Sequence, residues 1–163
     1  MKIIDNFLDN YLFEVLQSTI LGENFAWYYN DQIVKEGDGG FQFKNTLYNI
    51  NPPFNGFKSP HFPLVEPCIL LLGVQKLIRI KANLRPRTFF NRGSEYHTDF
   101  PHLEPHKTGI FYINTCNGYT KVKGHGKVKS VANRMVIFPS TLEHAGFACS
   151  DKKKRVVVNF NWM

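Results

Sequence analysis

The chain has no apolar run long enough to cross a bilayer; the longest, from Cys68 to Val74, is far too short. Its first residues, Met1-Lys2-Ile3-Ile4-Asp5-Asn6, lack the charged-then-apolar pattern of a secretion signal. Cysteine is scarce. Cys68, Cys116 and Cys149 are odd in number and widely spaced, which argues against a disulfide framework or zinc cluster and for a reducing compartment. No internal repeat, low-complexity tract or linker divides the sequence. These absences predict a soluble, cytoplasmic protein with no membrane partner, and 163 residues suit one domain with a sizeable core.

Acidic residues are outnumbered, 13 against 20 Lys and Arg, for a formal charge of +7. Such a balance suits an acidic substrate or a polyanionic partner. The only tight basic cluster is Lys152-Lys153-Lys154-Arg155, which reads as a solvated loop before a strand. Nucleobase chemistry wants a basic groove with stacking rings, and no such stripe stands out, so nucleic acid is a disfavoured partner. Fifteen phenylalanines fit a β-rich, ring-filled interior.

Residues 5 to 21 carry apolar side chains at helical spacing, with Asp5 or Asn6 as the cap and Gly22 as the stop. Short strands are expected at 25–29, 41–43 and 47–50. Residues 51 to 63, rich in proline and carrying Phe54, Phe57, His61 and Phe62, form a long irregular segment. It is either a substrate lid or a loop wrapped on the core. A short helix is expected at 69–74 and a strand at 77–84, where Arg79, Lys81 and Asn83 share one face, toward either a pocket or water. Further strands read at 108–114, 119–122, 128–131, 135–139 and 156–162. Seven or eight strands with no helical pattern between them, from residue 78 onward, predict a sandwich or jelly roll.

One stretch carries the chemistry. His97 and Asp99 flank a single residue in Tyr96-His97-Thr98-Asp99, so on an extended strand both emerge on one face. His144, on a strand returning past the first, supplies a third ligand. Two histidines and one carboxylate on one face of a divalent ion are the non-haem iron(II) arrangement. Arg155, eleven residues on, heads an apolar strand and suits a bidentate grip on a dicarboxylate. The bland alternative is a hydrogen-bonded His97–Asp99 pair at a strand end. His102 and His106 read as loop residues near the pocket mouth, with a rival triad through His102 conceivable. His61 and His125 read as surface histidines.

Tyr96–Asp99, Lys107–Asn114, Asn133–Phe138 and the pair His144 and Arg155 together resemble the 2-oxoglutarate/Fe(II) oxygenase superfamily. The likeness is to its prolyl-4-hydroxylase-like branch, small bacteriophage-encoded members included. It covers residues 77 to 162 well and the N-terminal half in outline. The resemblance implies a mainly β fold with flanking helices, a double-stranded β-helix, with 77–163 as its core and 1–76 as helical support and lid. It implies His97, Asp99 and His144 as catalytic metal ligands for Fe(II), with 2-oxoglutarate and O2 as cosubstrates and ascorbate as an accessory reductant. Arg155 and Tyr112 would hold the far carboxylate of 2-oxoglutarate. The chain departs from many relatives at Arg155-Val156-Val157, where they have Arg-x-Ser. The implied activity is hydroxylation of an unactivated C–H, in a prolyl peptide or protein or in a small molecule, coupled to release of succinate and CO2. Two other readings stand beside it: a non-enzymatic jelly-roll binding module, and a cupin-type metalloenzyme that does not use 2-oxoglutarate.

Overall fold

Alternation along the strands decides which side chains meet the interior. In the computed structural model, which describes residues 1–100 and 106–163, the chain opens with the edge strand β1 (Lys2–Ile4) and helix α1 (Asn10–Leu21). Strands β2 (Tyr28–Asn30), β3 (Gln42–Asn49) and β4 (Phe57–Lys58) precede a 3-10 turn (Phe62–Val65) that runs into α2 (Glu66–Leu72). Then come β5 (Leu77–Pro86), β6 (Lys107–Tyr112), β7 (Tyr119–Val122) and β8 (Gly126–Lys129). β9 (Arg134–Pro139), β10 (His144–Phe147) and β11 (Lys154–Trp162) complete the chain. One antiparallel sheet has the order β1-β9-β6-β11-β5-β3-β2, with β4 added on β3; the other is β10-β7-β8. Two such sheets facing each other make the jelly roll that the strand pattern predicts.

The large sheet is buried on both faces, and its two faces differ. Toward the helices it presents Ile80, Ala82, Phe111, Met135, Val156, Val158, Phe160 and Trp162, which pack with Phe13, Leu16 and Ile20 of α1. Each fully buried side chain of this size contributes roughly 1.5–3 kcal/mol. Toward the small sheet, β6 and β9 present Ile110, Tyr112, Val136 and Phe138 against Val122 and Val128. The other half of that inner face is polar. In the β5–β11 register Arg85 stands opposite Arg155, Asn83 opposite Val157, Lys81 opposite Asn159 and Arg79 opposite Asn161. The face shared by Arg79, Lys81 and Asn83 therefore turns inward, not to bulk water.

The N-terminal third departs most from expectation. Helix α1 starts at Asn10 and not near residue 5, capped by Asp9, whose Oδ1 accepts from Leu12 N at 3.0 Å. Residues 2–4 are drawn instead into β1 beside β9, and Asp5 grips Arg134 at 2.6 and 3.0 Å. The expected strand pieces 41–43 and 47–50 are one strand. Its polar middle stays in the ladder because Asn45, buried, donates to Ala26 O at 2.8 Å. Residues 51–62 do not line the cavity described below. Phe54, Phe57, Ser59, Pro60 and His61 line a separate groove with Tyr28 and Lys44. No helix among the described residues is long and apolar enough to cross a membrane.

Candidate active site

The segment before β6 completes the small sheet only in part. Isolated bridges join Gly93 to Phe147 and His97 to His144. Four steps on one side face three on the other, so the ladder bulges and no continuous strand forms. At the second bridge the backbones exchange both bonds, His97 N to His144 O at 3.0 Å and His144 N to His97 O at 2.9 Å. That pairing brings the rings to 4.4 Å between centroids, with Phe138 edge-on to His144 at 5.0 Å. Each imidazole turns Nδ1 toward a backbone carbonyl, His97 to Glu95 at 3.4 Å and His144 to Leu142 at 3.2 Å. Nδ1 thus carries the proton and Nε2 is left to ligate.

Asp99 completes the group: one ligand atom from each of His97, Asp99 and His144 lies within 4.8 Å of the other two. Its carboxylate accepts from Arg79 at 3.0 Å, Thr108 at 2.7 Å and Asn161 at 2.9 Å. Burial alone would raise its pKa, but His144, Arg79 and these donors outweigh burial and hold it down at about 2. Burial and the neighbouring His144 lower His97, which keeps its ring neutral near pH 7. Two imidazoles beside an ionised carboxylate are the donor set that a divalent iron, manganese or cobalt ion takes. The residues fit such an ion.

The three open on a cavity that runs along the polar inner face. Its wall includes Lys81, Asn83 and Arg85 of β5, Val157 and Asn159 of β11, Thr120 of β7, Gly146 of β10, and Arg155. Arg155 is only 4% exposed, so it is not a solvated member of the basic run before it. Its Nε donates to Ser130 Oγ at 2.8 Å and its Nη2 to Thr120 Oγ1 at 2.9 Å, and the guanidinium lies over the Tyr112 ring. Tyr112 is fully buried, lies outside the cavity wall, and donates its hydroxyl to Thr120 at 2.8 Å. Thr120 therefore accepts twice, which leaves its own O–H to donate into the cavity. Thr120 stands opposite Gly146, two residues from His144 along β10, a separation of about 6.6 Å at ordinary strand rise.

Several of these residues escaped the sequence reading. Arg85 continues the alternation of Arg79, Lys81 and Asn83 one step past the expected strand end. Asn159 and Asn161 interrupt an apolar strand at alternate positions, a signal that was legible. Thr108 and Thr120 sit on alternating strands, and Ser130 just past the end of β8, where a hydroxyl looks like surface. His106 lies just before β6, outside any strand, and is buried with Phe100 ring-to-ring at 5.4 Å; His61 is half-buried against Phe25, so it is not the surface histidine expected. His102 lies outside the described residues. The cysteines also differ from their sequence spacing: folding brings ligand atoms of Cys116, Cys149 and Asp151 within 4.8 Å of one another. Burial and the adjacent Cys116 push the Cys149 thiol up to about 11.

No family model and no curated protein matches the chain. Solved structures do. A prolyl hydroxylase from Trichoplax adhaerens, in complex with a hypoxia inducible factor oxygen degradation domain peptide fragment, aligns over 99% of this chain and 82% of its own at TM-score 0.67 and 14% identity. A prolyl-4-hydroxylase from Pseudomonas putida aligns over 99% and 90% at 0.63 and 17%. An oxidoreductase of the 2OG-Fe(II) oxygenase family from Burkholderia pseudomallei aligns over 98% and 84% at 0.69 and 10%. At these identities the likeness establishes the fold: the chain is a double-stranded β-helix of the kind these oxygenases use.

Proposed function

We propose that this chain is an iron(II)- and 2-oxoglutarate-dependent oxygenase that hydroxylates an unactivated C–H bond. The observation that supports it most is the content of one cavity. A two-histidine, one-carboxylate cluster stands at one end, and a buried arginine with no acidic partner among the described residues stands at the other. Through Nε2 of both histidines and a carboxylate oxygen of Asp99, the chain would hold the metal on one face. Arg79, Thr108 and Asn161 keep that carboxylate ionised and aimed. Iron so held, with 2-oxoglutarate and O2, supplies the oxidative chemistry.

The protein's own part is to bind, orient and exclude water. Arg155 offers a charge-assisted grip for the far carboxylate, held rigid by Ser130 and by its place over Tyr112. Thr120 gives the second donor, and Tyr112 acts on the cosubstrate through Thr120. The spacing from His144 to Thr120 suits a five-carbon dicarboxylate. A prolyl residue in a peptide is the first substrate to test, since prolyl hydroxylases share this fold and one was solved with a peptide. The test is succinate release from 2-oxoglutarate by Fe(II)-loaded protein under O2. The expected result is turnover that Asp99→Ala and Arg155→Ala both abolish. Metal binding without any 2-oxoglutarate binding would favour the cupin-type reading, and binding of neither would favour a non-enzymatic jelly roll.

A further inference from the structure

The cavity holds more positive charge than the proposed reaction uses. Lys81, Arg85 and Arg155 line it against a single carboxylate, Asp99, which is already engaged by Arg79. No carboxylate of a described residue comes within ion-pair distance of Lys81, Arg85 or Arg155. Arg85 and Arg155 are direct cross-strand partners, an arrangement that repels unless an anion joins it. A divalent metal would add two positive charges and 2-oxoglutarate would cancel two, so the surplus persists in the loaded site. The surplus lies on one wall. Arg155 reaches toward β7, whereas Lys81 and Arg85 stand on β5, each two residues from Asn83 and on either side of it. The same wall runs outward, because Arg85 also borders an adjoining groove with Arg87 and Arg92. Between the cations, the side-chain oxygens of Asn83 and Asn159 are buried with no hydrogen-bond partner. Buried polar atoms of this kind are commonly completed by a ligand or water.

Building on the oxygenase reading, we infer that Lys81 and Arg85 form a second anion-binding wall, distinct from Arg155, and that the primary substrate carries an acidic group beside the carbon it presents to the metal. That group is a carboxylate or a phosphate. Asn83 and Asn159 accept hydrogen bonds from N–H or O–H groups next to it. Burial, with Arg79 nearby, lowers the Lys81 ammonium to about 8, and burial with Arg155 nearby lowers Arg85 to about 10. Both shifts reflect a charge cost that a bound anion would relieve.

The test is calorimetry on the full-length protein with Mn(II) and 2-oxoglutarate both saturating. Inorganic phosphate and N-acetylglutamate are titrated as probes, with neutral N-acetylglutamine as the control. At least one anion should bind and the amide should not; which anion binds identifies the group. Lys81→Met and Arg85→Gln should each weaken that anion about tenfold or more. The 2-oxoglutarate dissociation constant, measured with Mn(II) alone, should move less than about threefold. Because Arg85 Nη1 also holds Gly146 O at 2.6 Å, Lys81→Met is the variant that decides if Arg85→Gln lowers the melting temperature. The inference is overturned if neither anion binds, if the amide binds equally well, or if both variants lose 2-oxoglutarate as strongly as the probe. If the wild type does not bind 2-oxoglutarate at all, the oxygenase reading falls. The same titration without metal or 2-oxoglutarate then decides whether the anion wall exists.

Discussion

Arg155 is fixed by contacts that a lysine cannot copy: Ser130 at 2.8 Å, Thr120 at 2.9 Å, and the face of Tyr112. Cutting a buried charge-assisted bond on one side costs on the order of 2–5 kcal/mol, so Arg155→Ala should weaken 2-oxoglutarate by roughly 30-fold or more. Arg155→Lys should fail largely as well, because an ammonium lacks the two-pronged fork. Tyr112→Phe removes only the bond that orders Thr120 and should cost about 1 kcal/mol, read as a few-fold rise in the same dissociation constant. Gly118 has a related role. A Cβ there would stand 2.7 Å from Arg155 Cδ and 2.9 Å from Phe147 O. Gly118→Ala should therefore weaken 2-oxoglutarate while Mn(II) affinity holds, both measured by calorimetry. Asp99→Ala should lose the metal itself, seen as a sharp drop in stoichiometry after reconstitution. At this scale the ligands were legible because their chemistry is rare and their spacing specific. Thr120 and Ser130 were not, since nothing in a hydroxyl's sequence position says which arginine folding will bring to it.

Between residue and fold lie the loops that border the cavity, and Asp38 organises one of them. Its side chain accepts from Ile33 N at 2.9 Å, Val34 N at 2.7 Å, Lys35 N at 3.3 Å and Gly40 N at 2.9 Å. Partial burial works against the charge, but these four backbone donors outweigh it and hold the carboxyl at about 2. A depressed acid of this kind stabilises the folded state above its ordinary pKa of 3.8. That contribution falls away as pH drops from about 4 toward 2, through the folded-state value. Asp38→Ala should cost about 1 kcal/mol near neutral pH, as a lost cap does, and the gap to wild type in urea melts should close near pH 2. A gap independent of pH would mean that the loop does not depend on the charge. Ile33 lines the cavity, and Lys35 pairs with Glu95 at 2.7 Å, next in sequence to Ser94 of the cavity wall. Residues of this loop border the cavity, whereas Phe54, Phe57, Ser59, Pro60 and His61 line a separate groove. The sequence marked 37–40 as flexible because of its glycines. It did not reveal that Asp38 gathers the backbone on both sides, since that depends on a closed loop and not on periodicity.

Over the whole molecule, the C-terminal jelly roll was readable because its strands follow one another at short spacing and alternate cleanly. The contribution of residues 2–4 and 42–49 to the same sheet was not, because β1 pairs with the distant β9 and β3 joins β5 across thirty or more positions, which leaves no local period. The fold matters to the site through the division of its inner face. β6 and β9 give an apolar half that excludes water, and β5 and β11 give a charged half that binds. Ligands that bind only this folded arrangement should stabilise it. With Mn(II) and 2-oxoglutarate each at about a hundred times its dissociation constant, the gain per ligand is about 2.7 kcal/mol. In a chain of this size that amounts to about 5–10 °C of melting temperature for each ligand. The measurement that tests the central claim most directly is 2-oxoglutarate binding by calorimetry with Mn(II) in place of iron, on wild type and Arg155→Ala. The account predicts one site per chain, dependent on the metal, and weakened roughly 30-fold or more by the substitution while Mn(II) binding is unchanged. An unchanged dissociation constant in Arg155→Ala, or 2-oxoglutarate binding that ignores the metal, would contradict it.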